Sequence, residues 1–137
     1  MAEVKIENDN RNLLLNELED RVKVALTAVG MQAETDVKKG NVPVDTGLLR
    51  NSITFAVSGQ GVHQSKYRAD SGDKSGSYKG KAPNDKVPAV YIGTNVEYAK
   101  YVQFGTSKMR PRDFLMAPLR ANLGHYKDII TKYLKQE

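Results

Sequence analysis

The sequence predicts an α+β fold: a long N-terminal helix and a C-terminal helix packed on a small, mainly antiparallel sheet, with a long flexible basic loop set into it. Three observations predict this. Apolar residues recur at three- and four-residue steps toward both ends of the chain. Between these stretches lie two short runs rich in β-branched and aromatic residues. Residues 59–88, by contrast, are rich in Gly, Ser and Lys and keep no apolar period. At 137 residues the chain reads as a single domain, 1–137, with the 59–88 loop inside it.

The first helix is expected over about 11–39. Leu14, Leu18, Val22, Ala25 or Leu26, Val29, Ala33 and Val37 form its apolar stripe, and Glu17, Arg21, Lys23, Gln32 and Asp36 its polar face. Asp9 or Asn10 is placed to cap its start. Lys38 and Lys39 occupy the last turn, where cations suit the helix dipole, and Gly40 is expected to end the helix in a left-handed conformation. Gly30 weakens the helix by about 1 kcal/mol relative to Ala, which suggests a bend or a close packing point.

Pro43 bars helix at Val42. After Leu48 and Leu49 comes a strand in which Ile53, Phe55 and Val57 alternate with Ser52, Thr54, Ala56 and Ser58. In the basic loop, Tyr67 and Tyr78 flank a candidate hairpin around Ser-Gly-Asp-Lys-Ser-Gly-Ser, the less favoured reading of that segment. Val90-Tyr91-Ile92-Gly93 is the second strand. Thr94 and Glu97 have capping-box spacing. Tyr98, Tyr101 or Val102, and Phe104 mark a brief amphipathic helix closed by Gly105. A basic turn, Ser107 to Asp113, leads to a final helix with Pro118 near its first turn. Its stripe is Leu119, Leu123, Tyr126, Ile130, Tyr133 and Leu134.

Composition narrows the chemistry. Cysteine is absent, which removes disulfides and thiolate metal sites. No apolar run approaches the roughly 20 residues of a membrane span, so no membrane partner is expected. The polar N-terminal stretch has no signal-peptide h-region. A net charge of +5 makes polyanion contact worth testing.

Asp45-Thr46-Gly47 spells the tripeptide that carries the catalytic carboxylate of aspartic proteases. Those enzymes need two carboxylates sharing a proton, so a chain this short would have to dimerise. They are also nearly all-β, whereas a long predicted helix precedes Asp45 here. The residues fit a structural role better. Asp45 is placed to accept backbone N–H groups two and three residues on, and Gly47 permits a turn or a close approach. On that reading Asp45→Ala costs about 1 kcal/mol and no activity.

Other constellations fail. His63 and His125 lie far apart without ligand spacing and read as surface residues. No G-x-S-x-G elbow occurs. Gly59-Gln60-Gly61 lacks its third glycine, and Ala82 follows Gly80-Lys81 where a phosphate loop needs Ser or Thr. The chain is therefore expected to be no enzyme and to hold no metal or cofactor. Lys66, Arg68, Lys74, Lys79, Lys81 and Lys86 in the loop, with Lys108, Arg110 and Arg112 in the turn, are candidate interface residues. They would face a nucleic-acid backbone or another protein chain.

The motifs taken together add a family resemblance. Val-Pro-Val-Asp-Thr-Gly-Leu-Leu-Arg-Asn-Ser-Ile supplies Pro43, Asp45, Thr46, Gly47, Leu49, Arg50, Ser52 and Ile53. Gly93, Thr94, Tyr98, Ala99, Phe104, Gly105 and Thr106 follow, then Arg112, Phe114, Leu115 and Pro118. Over about Gly40 to Leu119 this resembles the head–tail joining, or tail-completion, family of HK-type long-tailed phages and prophages. Gln103, in place of an acidic residue, and Asp113, where Pro is common, depart from the pattern. The resemblance implies a structural virion protein at the tail–neck junction, made in the bacterial host cytoplasm. It implies a ring, taken as a hexamer, touching the tail terminator or tube on one side and the neck on the other, with transient DNA contact in the lumen. Asp45, Thr46, Gly47, Arg50, Thr94, Glu97, Tyr98, Phe104, Gly105 and Phe114 are then structural motif residues. The Asp45 cap and the Thr94–Glu97 box would hold sheet to helices, and Tyr98, Tyr101 and Phe104 would pack core or rim. A small basic nucleic-acid-binding protein is the alternative.

Overall fold

The chain's architecture is described by a computed structural model covering residues 4–40, 42–43, 47–84 and 87–135, with side chains described from residue 16 onward. The N-terminal stripe becomes α1, Val4–Lys39, a helix of 36 residues. At 1.5 Å per residue it is about 54 Å long. It starts before the expected caps, so Asp9 and Asn10 lie inside it. Ala25, Leu26, Val29, Ala33 and Val37 are buried, as their spacing predicts. Leu18 continues the same stripe yet is 51% exposed, because the core beneath it has run out.

The end of α1 differs from expectation. Gly40 is absent from the positive-φ glycines, so it is no left-handed cap. Its N–H instead bonds the Val37 carbonyl at 3.1 Å, closing a tight final turn. What glycine provides at this position is clearance: a Cβ would stand 3.1 Å from Pro118 Cγ.

Helix α2, Leu48–Ser52, leads into β1, Thr54–Val57. Past the intervening segment, β4 (Val90–Gly93) pairs antiparallel with β1, in register Thr54↔Gly93 through Val57↔Val90. Phe55 and Val57 face α1 with Leu26, while Val22, Val90, Ile92 and Ile130 pack around them. Gly30 sits where helix and strand touch, and a Cβ there would overlap the Phe55 ring. The close-packing explanation of Gly30 holds.

Residues β1 was expected to turn outward, Thr54 and Ala56, are buried too. The cause lies in residues 59–84, which make long-range backbone bonds. Val62 bridges Ala56, Gly61 bridges Lys81, and the His63 N–H bonds the Phe55 carbonyl at 2.8 Å. Beyond them β2 (Lys66–Arg68) and β3 (Ser75–Ser77) form an antiparallel hairpin, with Tyr67 opposite Gly76. Residues 78–83 then return beside residues 59–65 and share a hollow with Ala56 and Tyr91 of the sheet's second face. The segment thus extends the sheet at the free edge of β1, and the hairpin lies beyond it.

The C-terminal part holds α3 (Ala99–Phe104), α4 (Met116–Ala121) and α5 (Leu123–Lys135). The expected single final helix breaks at Asn122, whose side-chain amide donates to the Pro118 carbonyl at 2.7 Å. Pro118 falls in the first turn of α4. Tyr126 and Ile130 pack on α1, and Leu123, predicted for the stripe, is exposed because the break turns it outward. Tyr126 donates its hydroxyl to Asp36 at 2.7 Å, and burial followed by this contact pushes its pKa strongly up.

Candidate functional site

The residues that set this chain apart fall into two adjoining regions. The first is an anchor built on α2. Gly47 opens the helix at φ 84°, a left-handed conformation that favours glycine. A Cβ there would also collide with the Asp70 carboxylate. Asp70 belongs to the turn of the β2–β3 hairpin, and α2 grips it. Arg50 Nη2 reaches Asp70 Oδ2 at 2.7 Å, and Asn51 Nδ2 donates to Asp70 Oδ1 and to the Arg68 carbonyl, each at 2.9 Å. Asp45 and Thr46, expected to cap this helix, lie outside the described residues.

Behind this grip is a chain of hydroxyls. Ser52 Oγ donates to the Leu49 carbonyl at 2.6 Å and lies 2.6 Å from Thr94 Oγ1. Since the serine proton is spent on Leu49, the threonine is the donor of the second bond. Tyr78 donates to the Ser52 carbonyl and accepts the Asn95 N–H at 3.2 Å. Tyr67 donates to Asn95 Oδ1, while Asn95 Nδ2 donates to the Ser77 carbonyl at 2.8 Å. Both tyrosine hydroxyls have raised pKa values, chiefly from burial. Thr94 is therefore no helix cap. Its oxygen accepts the Val96 N–H at 3.1 Å, and α3 begins only at Ala99. Glu97 sits exposed in the turn between.

The second region is α3 with the turn after it. Ala99, Val102 and Gln103 face inward. Tyr98, Tyr101 and Phe104 face solvent, Phe104 being 69% exposed, so of the two expected places, core or rim, the core is excluded. The inward positions are filled by small or slender residues because Phe114, 1% exposed, already occupies the space beneath with Val37, Leu49 and Ile53. Gly105 ends α3 at φ 78° with its N–H on the Tyr101 carbonyl at 2.8 Å. A tight turn follows, Thr106 N–H to Met109 O at 2.9 Å, and the chain returns beside α3 with Arg112 N–H on Val102 O at 2.7 Å. Lys108, Arg110 and Arg112 are exposed on this turn, and the Lys100 ammonium stands 5.1 Å from the Tyr101 ring centre.

The two departures from the family pattern prove to be partners. Gln103 Nε2 donates to Asp113 Oδ1 at 2.6 Å, and Gln103 Oε1 accepts the Leu115 N–H at 3.2 Å. The same Asp113 oxygen accepts the N–H groups of Met116 and Ala117 at 3.1 Å, capping α4. The Gln103 hydrogen bond is the first cause of a lowered Asp113 pKa.

The candidate basic residues divide between the regions. Lys66, Arg68, Lys74, Lys79 and Lys81 are exposed along the hairpin segment, while Lys86 lies outside the described residues. A polar cleft of about 900 Å³ between the end of α1 and the hairpin is lined by Lys38, Lys66, Arg68 and Asp73. His63 is more engaged than a solvated surface residue: its ring stacks on Phe55 at 4.9 Å, and Nδ1 lies 3.8 Å from Glu34 Oε1. Among the described residues no cluster of His, Asp or Glu could hold a metal ion, and no helix is long and apolar enough to cross a membrane. Sequence reading missed the roles of Ser52, Tyr67, Asp70, Tyr78 and Asn95. Ser52 and Thr94 did carry a signal, since both are motif letters.

The described residues thus form a hydrogen-bonded anchor that ties the hairpin segment to a small sheet, beside an outward aromatic helix. The chain belongs to the HK97-gp10-like family, described as "Bacteriophage HK97-gp10, putative tail-component", whose model matches residues 10–105. It is thus a member of a phage tail-component family. No curated protein and no solved structure matches the chain. The segment from Thr106 to Leu119, which also carries motif letters, lies beyond the matched range.

Proposed function

We propose that this tail-component chain is a structural protein joining head and tail, assembling as a sixfold ring at the head-proximal end of the tail. One face of the ring meets the tail terminator or tube, and the other meets the neck. The observation that carries this reading is the outward aromatic face of α3, held on a scaffold whose own core is already filled. Exposed aromatics rimmed by polar residues mark surfaces that another protein covers. The anchor's hydrogen bonds join α2 to the hairpin and to Asn95, which suits a scaffold. The basic hairpin segment is the element in this reading that borders the lumen and meets passing DNA.

The test is co-sedimentation of the purified protein with tails from the matching phage, read by negative-stain microscopy. Density at the head-proximal tail end is expected. Its absence, with DNA binding that weakens steeply as salt rises, would instead make the protein a nucleic-acid binder.

A further inference from the structure

The aromatic face of α3 has a definable counterpart on the same chain. Tyr98, Tyr101 and Phe104 are exposed, and Lys100, Lys108, Arg110 and Arg112 lie on the same helix and turn, against Glu97 and an Asp113 already held by Gln103 and Arg120. Two copies of this patch cannot face each other across a twofold axis, since that would set cation against cation at a cost of several kcal/mol. The surface that covers it must be apolar and acidic.

The described part of the chain offers one such surface. The core stripe of α1 runs past the end of the sheet at Leu18, which is half exposed. Beside it Glu17, Glu19 and Asp20 are exposed against Arg21 and Lys23, which leaves this stretch acidic by one charge. Leu18, Val22 and Lys23 also border a notch of about 550 Å³, with Val57, Asn84 and Pro88 on its other side. Aromatic side chains bring large apolar area in a rigid form, and a notch of this size admits such a ring. The hairpin-tip carboxylates differ: Asp70 is held by Arg50, and the residues around Asp73 are polar.

We infer that the α3 aromatic patch of one copy docks on the acidic, apolar end of α1 in a second copy of the chain, Phe104 entering the notch beside Leu18. The two patches differ, so the contact is heterologous and propagates head to tail, the kind that closes into rings. This inference rests on the ring reading above and names the surfaces that would build the ring.

The absence of cysteine makes a clean cross-linking test available. Asn16→Cys and Ser107→Cys each place one thiol beside an interacting patch and leave its charges in place. Variants are bound to phage tails, alone and as an equimolar mixture, and treated with a short bismaleimide. The mixture is expected to give a cross-linked dimer, either variant alone none, and the Asn16→Cys/Ser107→Cys double variant a ladder. Phe104→Ser in that double variant should cut the yield at least tenfold with Tm unchanged. Tail binding without a 16–107 product, or a product from Ser107→Cys alone, overturns the contact. If tails are not bound, the joining reading falls by itself. The same cross-link in concentrated free protein then decides the contact, its presence supporting the inference and its absence overturning it.

Discussion

The α2 anchor and the α3 face are built from the same motif and put to opposite uses. Ile53, from the first motif segment, is fully buried, and Ser52 is almost so. Tyr98 and Phe104, from the second, point to solvent. The difference teaches that a family signature mixes two kinds of residue: those that make the scaffold and those that a scaffold presents. Two phenylalanines ten positions apart separate the kinds most sharply. Phe114→Ala should cost about 3–5 kcal/mol, the range for deleting a buried ring, whereas Phe104→Ala should stay within about 0.5 kcal/mol. Chemical denaturation of both variants measures this. Equal losses would mean that Phe104 is part of the scaffold and would erase the distinction.

Gly30 tests the scaffold from the other side. Helix propensity alone says that Gly30→Ala gains about 1 kcal/mol. The Phe55 ring occupies the position of the new methyl. Overpacking of this kind costs about 1–3 kcal/mol, so the net change should be destabilising. A stabilised Gly30→Ala would show that α1 can slide away from β1 without loss.

The hydroxyl chain comes next in size. Ser52→Ala leaves the Thr94 hydroxyl and the Leu49 carbonyl short of a partner, which should cost about 1–3 kcal/mol. Thr94→Val should cost a similar amount, and the double variant less than the sum, since the two hydroxyls share a bond. Strict additivity in that cycle would dissolve the link between the two motif segments. Arg50→Ala should be milder. Its ion pair with Asp70 is short, yet the side chains are 35% and 57% exposed, so screening holds its worth to about 1 kcal/mol or less. Added salt should narrow the gap between wild type and Arg50→Ala.

Much of the fold could be read from the residues because it depends on local period. The buried α1 positions from Ala25 to Val37, both strands of the sheet, and Tyr126 and Ile130 of α5 follow from spacing that any water-facing element must obey. Residues 59–84 were obscured because their order is not local. Tyr67, Tyr78 and Asn95 are held by partners about 17 to 28 positions away, bonds that leave no period in the sequence. Gly40 misled for a related reason, since its tertiary clearance for Pro118 looks, letter for letter, like a helix stop. Thr94 was misread because the same hydroxyl that could cap a helix also serves a turn and a neighbour in α2. Of the site, the motif located the residues, but their inward or outward aspect depends on Phe114 filling the space under α3, a long-range packing fact.

The smallest effect isolates a single carboxylate. In wild type the Asp113 pKa is lowered, first by Gln103 and then by the α4 amides and Arg120. A lowered folded-state pKa contributes stability that is present above the ordinary aspartate range and is lost as pH falls through the folded value. Gln103→Glu restores the acidic letter of the family pattern but sets a second carboxylate against Asp113 Oδ1, where the amide now donates. Like charges raise each other's pKa, so the variant should be less stable near neutrality and regain stability as pH falls through those raised values. Thermal denaturation followed across the acid range should thus show wild type and Gln103→Glu converging on acidification. Combining Gln103→Glu with Asp113→Asn should remove the pH-dependent part of the deficit, since the asparagine amide can donate to the new carboxylate. If Gln103→Glu instead tracks wild type at every pH, Gln103 and Asp113 vary independently, and the hydrogen bond joining the two departures does not explain why they occur together.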